Sequence, residues 1–526
     1  MNDSSQSPIG ILKRGLLLVV LLGFGLWPSP SDASDDQPFY TGVYLYDYQF
    51  RATAEHQGED YFEFLEKHLQ ILSNHGVNVV HLAVSYPEEF GAHLQLFKKY
   101  GIKLLPQLDF VYFVPTETDA AMSLRATGAA AFINTYISDP GVLAWSVKEE
   151  VAQQDVARLG QFYTQILAGA PGAKLFTLHN AIGAATEQPE PYPVLSGTDR
   201  YAFWWEFSGG GYLASPAYAL DWTRKQAAVY YEESARRGAD FMLVVTQGGM
   251  LMPQWANTLA KTPREVAYPL VEDEQVAMQK KILSFADEGR MGWRKFSTEE
   301  GDFYNVWKYY RAPKNTMKAM AWISVLEGAK YFLTWHYEPY DPDKSQPTLE
   351  AASRSGAGEI QYVTLAGRPD MENPQLEEFG EAAGEIRAYE GIITQMTKLP
   401  TCPIEAADAQ VHARAFRFPG LNGTVVVLHN SNVGTWPGES RYLFQEDDPI
   451  QIDDSGNLVG YVPFSEAMEV RFTRTDENSE HHVYDLKTGK EILDVGGYST
   501  SVLPGSGRLL YVGTFDDGEQ LSTLVK

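Results

Sequence analysis

Residues 76–110 read GVNVVHLAVSYPEEFGAHLQLFKKYGIKLLPQLDF, and they decide the fold. VNVVHLAVS (77–85) is an almost unbroken apolar run rich in β-branched residues, as a strand covered on both faces requires. A helix-like stretch follows through Tyr100, and a second buried strand, IKLLPQLDF (102–110), starts after Gly101. Strand, helix, strand at this spacing is the parallel βαβ unit. Each strand is introduced by a glycine, the residue that ends a helix in the left-handed conformation.

The same alternation runs outward from about Phe39 to Met396. FYTGVYLYDY (39–48) comes first, followed by a helix with Phe62, Leu65, Leu69 and Leu72 on one face. Beyond the opening stretch come VLAWSVKEE (142–150), AKLFTLHN (173–180), VLSGTDRYAF (194–203), ADFMLVVTQ (239–247) and AKYFLTWHYE (329–338), with a last helix over 376–396. Gly141, Gly172, Gly238 and Gly328 repeat the junction glycine. Eight such strands predict a (β/α)8 TIM barrel over 38–398 with enlarged loops, in the α/β class. An open doubly wound sheet is the alternative, but no G-x-G-x-x-G follows the first strand, which argues against a dinucleotide fold. Residues 248–313 form an insertion far longer than an ordinary loop. It has a helix-like piece near 274–286 and many aromatic side chains, so a lid or groove wall over the strand ends is expected.

After Met396 the period changes to that of strands. VHARAFRF, GTVVVLHN, MEVRFTRT, HHVYDL and RLLYVGTF are separated by Gly, Asn, Asp and Pro, which predicts an all-β sandwich over 399–526 containing only strands. The tracts VYDLKTGKEI and SVLPGSGRLLYVGTF resemble the C-terminal sandwich that closes many carbohydrate-active barrel enzymes.

Composition limits the partners. The chain has 526 residues, 44% hydrophobic and 13% aromatic, with 30 Tyr and 11 Trp, enough for two cores and for flat apolar ligand faces. A formal charge of −26 disfavours nucleic acid and anionic membrane. Residues 1–33 read as a cleaved signal peptide, with Lys13 and Arg14 before a short apolar run from Gly15 to Trp27 and an exit at Pro28, Pro30 and Ala33. The expected location is periplasmic or extracellular, with no membrane association after cleavage. Cys402 is the single cysteine, so no internal disulfide forms. The sequence leaves the oligomeric state open.

Barrel chemistry sits where strands end. Those ends carry Asp47, Asp109, Glu149 with Glu150, His179 with Asn180, Asp199, Gln247, and His336 with Glu338. Tyr201, Trp204, Trp205 and Trp335 lie in the same loops and suit stacking on a sugar ring. Asp47, Asp109, His179, Asn180, Tyr201, Trp204, Trp205, Gln247, Trp335 and His336 are the candidate substrate-binding residues. Glu149, Glu150, Asp199 and Glu338 are the candidate catalytic ones. No metal or cofactor is expected: His481-His482 has no third ligand in view, and neither H-E-x-x-H nor G-x-S-x-G occurs.

The tract from Leu143 to Glu150 resembles the fourth strand of retaining glycosidases with (β/α)8 barrels, which reads W-x-x-x-N-E or W-x-x-x-D-E and ends in the general acid/base. Trp145 and Glu150 match the Trp and the acid/base, while Glu149 stands where the family has Asn or Asp. A second carboxylate beside Glu150 would raise the pKa of one of the two. The family's nucleophile ends the seventh strand, where this chain has Gln247. Glu338, Asp199 and Glu206 are the substitutes in view, and either the mechanism differs from the family's or the strands are offset from it by one element. The resemblance implies a secreted glycoside hydrolase acting on an oligo- or polysaccharide. Two other readings stay open. One is a polysaccharide lyase on the same barrel, with Lys148, Arg200, His179 or His336 against a uronate. The other is a carbohydrate-binding protein without activity.

Overall fold

The structure, a computed structural model, describes residues 38–150, 152–179, 189–200, 216–246, 248–251, 291–298, 301–339, 357–358, 374–435, 460–476, 478–493 and 497–526. The expected signal peptide at 1–33 and the helix-like piece at 274–286 lie outside the described residues.

Seven parallel strands form one sheet: β1 (Tyr40–Tyr46), β2 (Val79–Val84), β3 (Lys103–Leu108), β4 (Phe176–His179), β5 (Leu195–Arg200), β6 (Asp240–Thr246) and, after three strands of the insertion, β10 (Tyr331–Trp335). Their spatial order is β3-β2-β1-β10-β6-β5-β4. The first and last strands are therefore neighbours, with Tyr40 opposite Tyr331, as in a sheet rolled round on itself. This curled parallel sheet and its helices fit a (β/α) barrel.

Segment 142–149 lies between the two edges of this order. Val142 bridges Leu104 and Ser146 bridges Gln107 on the β3 side, while Trp145 bridges Leu175 and Glu149 bridges Leu178 on the β4 side. Inner-facing Tyr40, Tyr44, Val79, Leu105, Ala144, Phe176, Leu195, Met242 and Leu333 share one buried cluster. Trp145 and Val147 face the other way, into the larger core between sheet and helices.

The junction glycines do what the sequence asked of them at four places. Gly76, Gly101, Gly238 and Gly328 have φ of +80°, +69°, +72° and +87°, each just past a helix. After α2 (Tyr61–Asn74), Val77 N–H donates to Leu72 O at 3.0 Å, closing the Schellman turn that feeds β2. Ahead of α2 stands α1 (Asp47–Gln57), which takes in Asp47 and Tyr48, the last two residues of the first strand-like run. Around the sheet follow α3 (Phe90–Lys99), α4 (Asp119–Tyr136), α5 (Val156–Gly169), α6 (Pro216–Arg236), α7 (Thr316–Leu326) and α8 (Pro374–Ala388).

The insertion leaves the C-terminal end of β6 as β7 (Gly248–Leu251), then β8 (Met291–Thr298) and β9 (Gly301–Arg311), paired antiparallel in a small sheet with Ala357–Gly358. Its described parts are strands. From Thr397 the described chain forms three further antiparallel sheets, one around Val411–Arg417, Thr424–Asn430 and Gly507–Gly513, another of Ile404–Ala406, Met468–Arg474 and Tyr498–Val502, and a small pair of Gly434–Thr435 with Val462–Pro463. Val426, Leu428 and Leu510 of the first meet Ile404, Val470 and Phe472 of the second in one core, which fits a β domain. A short helix, Phe515–Ser522, ends the chain, so this region is not strand alone; its Leu521 is buried.

Helix α7 joins the two parts. Its sequence, TMKAMAWISVL, is apolar all round, and every residue in it is buried, as happens when both sides of a helix are covered. Trp322 Nε1 donates to Glu385 Oε2 at 2.8 Å and Lys318 Nζ lies 2.7 Å from Glu381 Oε2, both on α8. On the other side Asn315 Nδ2 donates to Val433 O at 3.0 Å and Phe464 O at 2.8 Å. Gly507 is packed so closely that an added Cβ would stand 2.1 Å from Trp322 Cε3.

Candidate active site

At the C-terminal ends of the parallel strands, polar side chains replace the apolar inner layer. On β2, Val79 belongs to the inner cluster and alternation carries the same face to His81, which is buried. The His81 ring stacks on Tyr44 of β1 at 4.0 Å and meets Phe176 of β4 edge-on at 5.4 Å. Its Nε2 lies 3.0 Å from Glu149 Oε1. The Glu149 carboxylate thus points inward, with its side chain 17% exposed.

Glu150, the position that the fourth-strand resemblance implies as acid/base, is exposed, and its φ is +48°. The regular strand ends here: Phe113 N–H donates to Val147 O at 2.9 Å and Glu150 N–H to Leu178 O at 3.1 Å. Lys148 Nζ lies 4.4 Å from the centre of the Tyr112 ring. The turn thereby separates the two adjacent carboxylates, one facing His81 and one facing solvent.

Further carboxylates share the space around Glu149. The Tyr44 hydroxyl is held well above its ordinary pKa by burial and then by the charges of Glu149 and Asp199, so both acids lie near one phenol. Asp199 is buried, on the inner face of β5 with Leu195. Asp109 accepts from Gln107 Nε2 at 2.8 Å. Burial raises the Asp109 carboxyl above its usual range, and the charges of Glu149 and Asp47 add to the effect. Tyr46 of β1 is raised in the same way by burial and then by Glu149. Its hydroxyl accepts from Trp335 Nε1 at 2.9 Å, and its ring stands edge-on to His336 at 5.7 Å. His336 Nε2 lies 3.3 Å from Glu338 Oε2, and both residues are buried. Tyr337 between them turns outward to Phe50 and His68, which leaves His336 and Glu338 on the inner side.

Of the residues expected from sequence, Glu149, Asp109, Asp199, Trp335, His336 and Glu338 are brought together. His179 stands apart. Phe176 and Leu178 face the inner cluster and Thr177 bonds to Tyr163 of α5, so alternation puts His179 on the helix side. Asp47 is buried and accepts from Ser85 N–H at 2.9 Å, a contact made with backbone. Asn180, Tyr201, Trp204, Trp205, Glu206 and Gln247 lie outside the described residues. Tyr44, Tyr46, His81, Gln107 and Tyr112 were not expected. A lone His in the apolar run VNVVHLAVS, on its inward parity, was the available signal. Among the described residues no group of His, Cys, Asp and Glu is arranged to hold a metal. His481 Nδ1 is bonded at 2.7 Å to Asp476 and His482 Nδ1 at 2.6 Å to Glu491, two separate pairs.

No family model and no curated protein matches the sequence. Among solved structures the chain is similar to AmyP in complex with maltose, at 10% identity over 90% of this chain and 96% of that one, with a TM-score of 0.45. It is similar to the maltogenic alpha-amylase AmyB from Thermotoga neapolitana, at 10% identity over 90% and 98%, with a TM-score of 0.44. A GH2 beta-galacturonidase from Eisenbergiella tayi bound to galacturonate matches at 15% identity over 66% of this chain and 51% of that one, with a TM-score of 0.36. Similarity at this level assigns no activity, and function has to be argued from the chain's own side chains.

Proposed function

We propose that this chain is a glycoside hydrolase that cleaves an oligo- or polysaccharide outside the cytoplasm, with Glu149 as the general acid. One observation carries the reading. Glu149 is a largely shielded carboxylate at the end of a barrel strand, held against His81, with a second carboxylate, Asp199, beside the same Tyr44 hydroxyl. Hydrolysis of a glycosidic bond needs two carboxyl groups of this kind. In the proposed reaction Glu149 gives its proton to the leaving oxygen while Asp199 attacks the anomeric carbon or takes a proton from the attacking water. Water then supplies the hydroxyl of the new reducing end. Glu338, paired with His336, is the alternative second carboxylate.

We further read segment 142–149 as the fourth strand, bridged on both sides, which closes an eight-stranded barrel spanning 38–398, with the β domain over 399–526. The insertion at 248–313 is read as a wall of the substrate groove. Residues 1–33 are read as the export signal. Against the lyase reading, the site gathers the four carboxylates Glu149, Asp109, Asp199 and Glu338, and Lys148 packs on Tyr112, a poor setting for a uronate.

The test is reducing-end release by the purified protein from a panel of neutral, amino and uronic polysaccharides. Hydrolysis that is lost in Glu149→Gln supports the proposal. An unsaturated product absorbing in the ultraviolet would indicate a lyase, and tight binding with no release would indicate a binding protein.

A further inference from the structure

Asp47, at the end of β1, has the character of a binding residue in the sequence, yet only 1% of it is exposed. Ser85 N–H donates to its Oδ2 at 2.9 Å, and the backbone N–H groups of Tyr86 and Tyr48 bond to the same carboxylate. It ties the start of α1, which follows β1 directly, to the turn after β2.

An exposed tyrosine stands at each of these places, Tyr48 in the first turn of α1 at 45% and Tyr86 after β2 at 37%. The other large apolar side chains exposed between residues 38 and 398 are Ile71, Leu124, Val194 and Val229 among the described residues. Those are aliphatic, and three of them sit on the outer helices α2, α4 and α6, as scattered surface apolar residues do. Tyr48 and Tyr86 alone in this set are flat rings, and both lie at the strand ends where the carboxylates are. Tyr86 is braced, with Arg51 Cζ at 4.3 Å from its ring centre and 4.0 Å from that of Tyr61, while Arg51 is ion-paired to Glu89. Tyr48 stands 5.7 Å from Tyr46, whose hydroxyl is bonded to Trp335. An aromatic strip thus leads from Trp335 in the site outward to an exposed ring.

We propose that Tyr48 and Tyr86 form a sugar-stacking platform for units of the substrate remote from the bond that is cut, and that the preferred substrate is therefore an oligosaccharide longer than a disaccharide. This rests on the carbohydrate reading above. A pyranose presents an apolar face to such rings, and a ring braced as Tyr86 is by Arg51 loses little freedom on binding.

The test is isothermal titration of the full chain with gluco-, manno-, xylo- and N-acetylglucosamine oligosaccharides of two to six units. Affinity should rise with length in the wild type. Tyr48→Ala and Tyr86→Ala should each weaken the hexamer roughly three- to tenfold while leaving the dimer unchanged, and Tyr48→Phe and Tyr86→Phe should keep wild-type affinity. Leucine variants, apolar but not flat, should show the same loss as alanine and replace it if alanine destabilises the fold. Alanine or leucine variants that bind the hexamer as well as the wild type overturn the platform and leave the carbohydrate reading intact. A wild type that binds none of these oligosaccharides overturns both.

Discussion

Glu149→Gln and Glu150→Gln change adjacent carboxylates by one atom each, and the structure expects opposite results. Glu149 is mostly shielded and faces His81 at 3.0 Å; an amide keeps its size and its place but cannot give a proton to a leaving oxygen. General acid catalysis contributes roughly 10²–10⁴-fold, so kcat should fall by that factor, equivalent to about 3–5 kcal/mol of barrier. KM should change by less than about threefold, because a proton donated in the transition state is not a ground-state contact. Stability should hold, since the lost charge lies beside the acids Asp109 and Asp199, where neutralisation relieves repulsion. Glu150 points to solvent from a left-handed residue, and glutamine there should leave kcat within about twofold. The assay is initial-rate reducing-end release with the best substrate of the panel, alongside thermal melts of each variant. If Glu149→Gln keeps a tenth or more of wild-type turnover, or Glu150→Gln loses a hundredfold, the inward carboxylate is not the acid.

His81→Ala should lower kcat roughly ten- to hundredfold with little change in KM, because Glu149 loses the group that orients it; unchanged kcat would remove His81 from the site. Gly507→Ala forces a methyl to within 2.1 Å of a Trp322 ring pinned through Nε1 to Glu385, and should cost about 3 kcal/mol or more, measured as loss in denaturant melts. Glu378 on α8 is fully buried against the N–H groups of Asn315 and Lys318, and its carboxyl is pushed up to about 7 from 4.5. A raised carboxyl pKa means the native state binds the extra proton. Its stability contribution is complete below about pH 4.5 and lost as pH rises through about 7. Glu378→Gln should therefore be more stable than wild type above pH 7, by up to about 3 kcal/mol, with the gap closing toward pH 4.5; parallel stability curves would refute this.

Strand positions were legible because parallel strands covered on both faces are continuous apolar runs, and helix C-termini were legible because Gly76, Gly101, Gly238 and Gly328 mark them. The inward or outward sense of a residue at a strand end was harder. His179 follows a strict alternation that could have been counted from Phe176, and counting would have assigned it to the helix side. Glu149 and Glu150 could not be separated by counting, because the strand loses its regular pairing at Val147, where a backbone bond from Phe113 intervenes. Asp47 shows a further limit. A carboxylate satisfied by backbone N–H groups of a neighbouring turn depends on that turn's path, which one strand's sequence does not contain. The terminal helix Phe515–Ser522 was hidden by VGTF, whose composition continues the preceding strand.

The β domain belongs to the site's support. Helix α7 is wrapped by α8 on one side and by the β domain on the other, and Met317, Met320, Trp322, Ile323, Val325 and Leu326 are all buried in it. Exposing even two or three of these side chains would forfeit about 1.5–3 kcal/mol apiece, a large share of the 5–15 kcal/mol that stabilises a folded protein. Glu327, at the end of the helix, is fully buried between Lys398 and Arg414, the latter at 3.4 Å, and removing one partner would leave an uncompensated charge. The next element in the chain is β10, which delivers Trp335, His336 and Glu338 to the inner rim. A strand entered from a helix that cannot shift is itself held in register, so the rigidity that the carboxylates need comes partly from residues beyond 398. Helix α7 thus links the β domain to the strand that carries part of the acidic site.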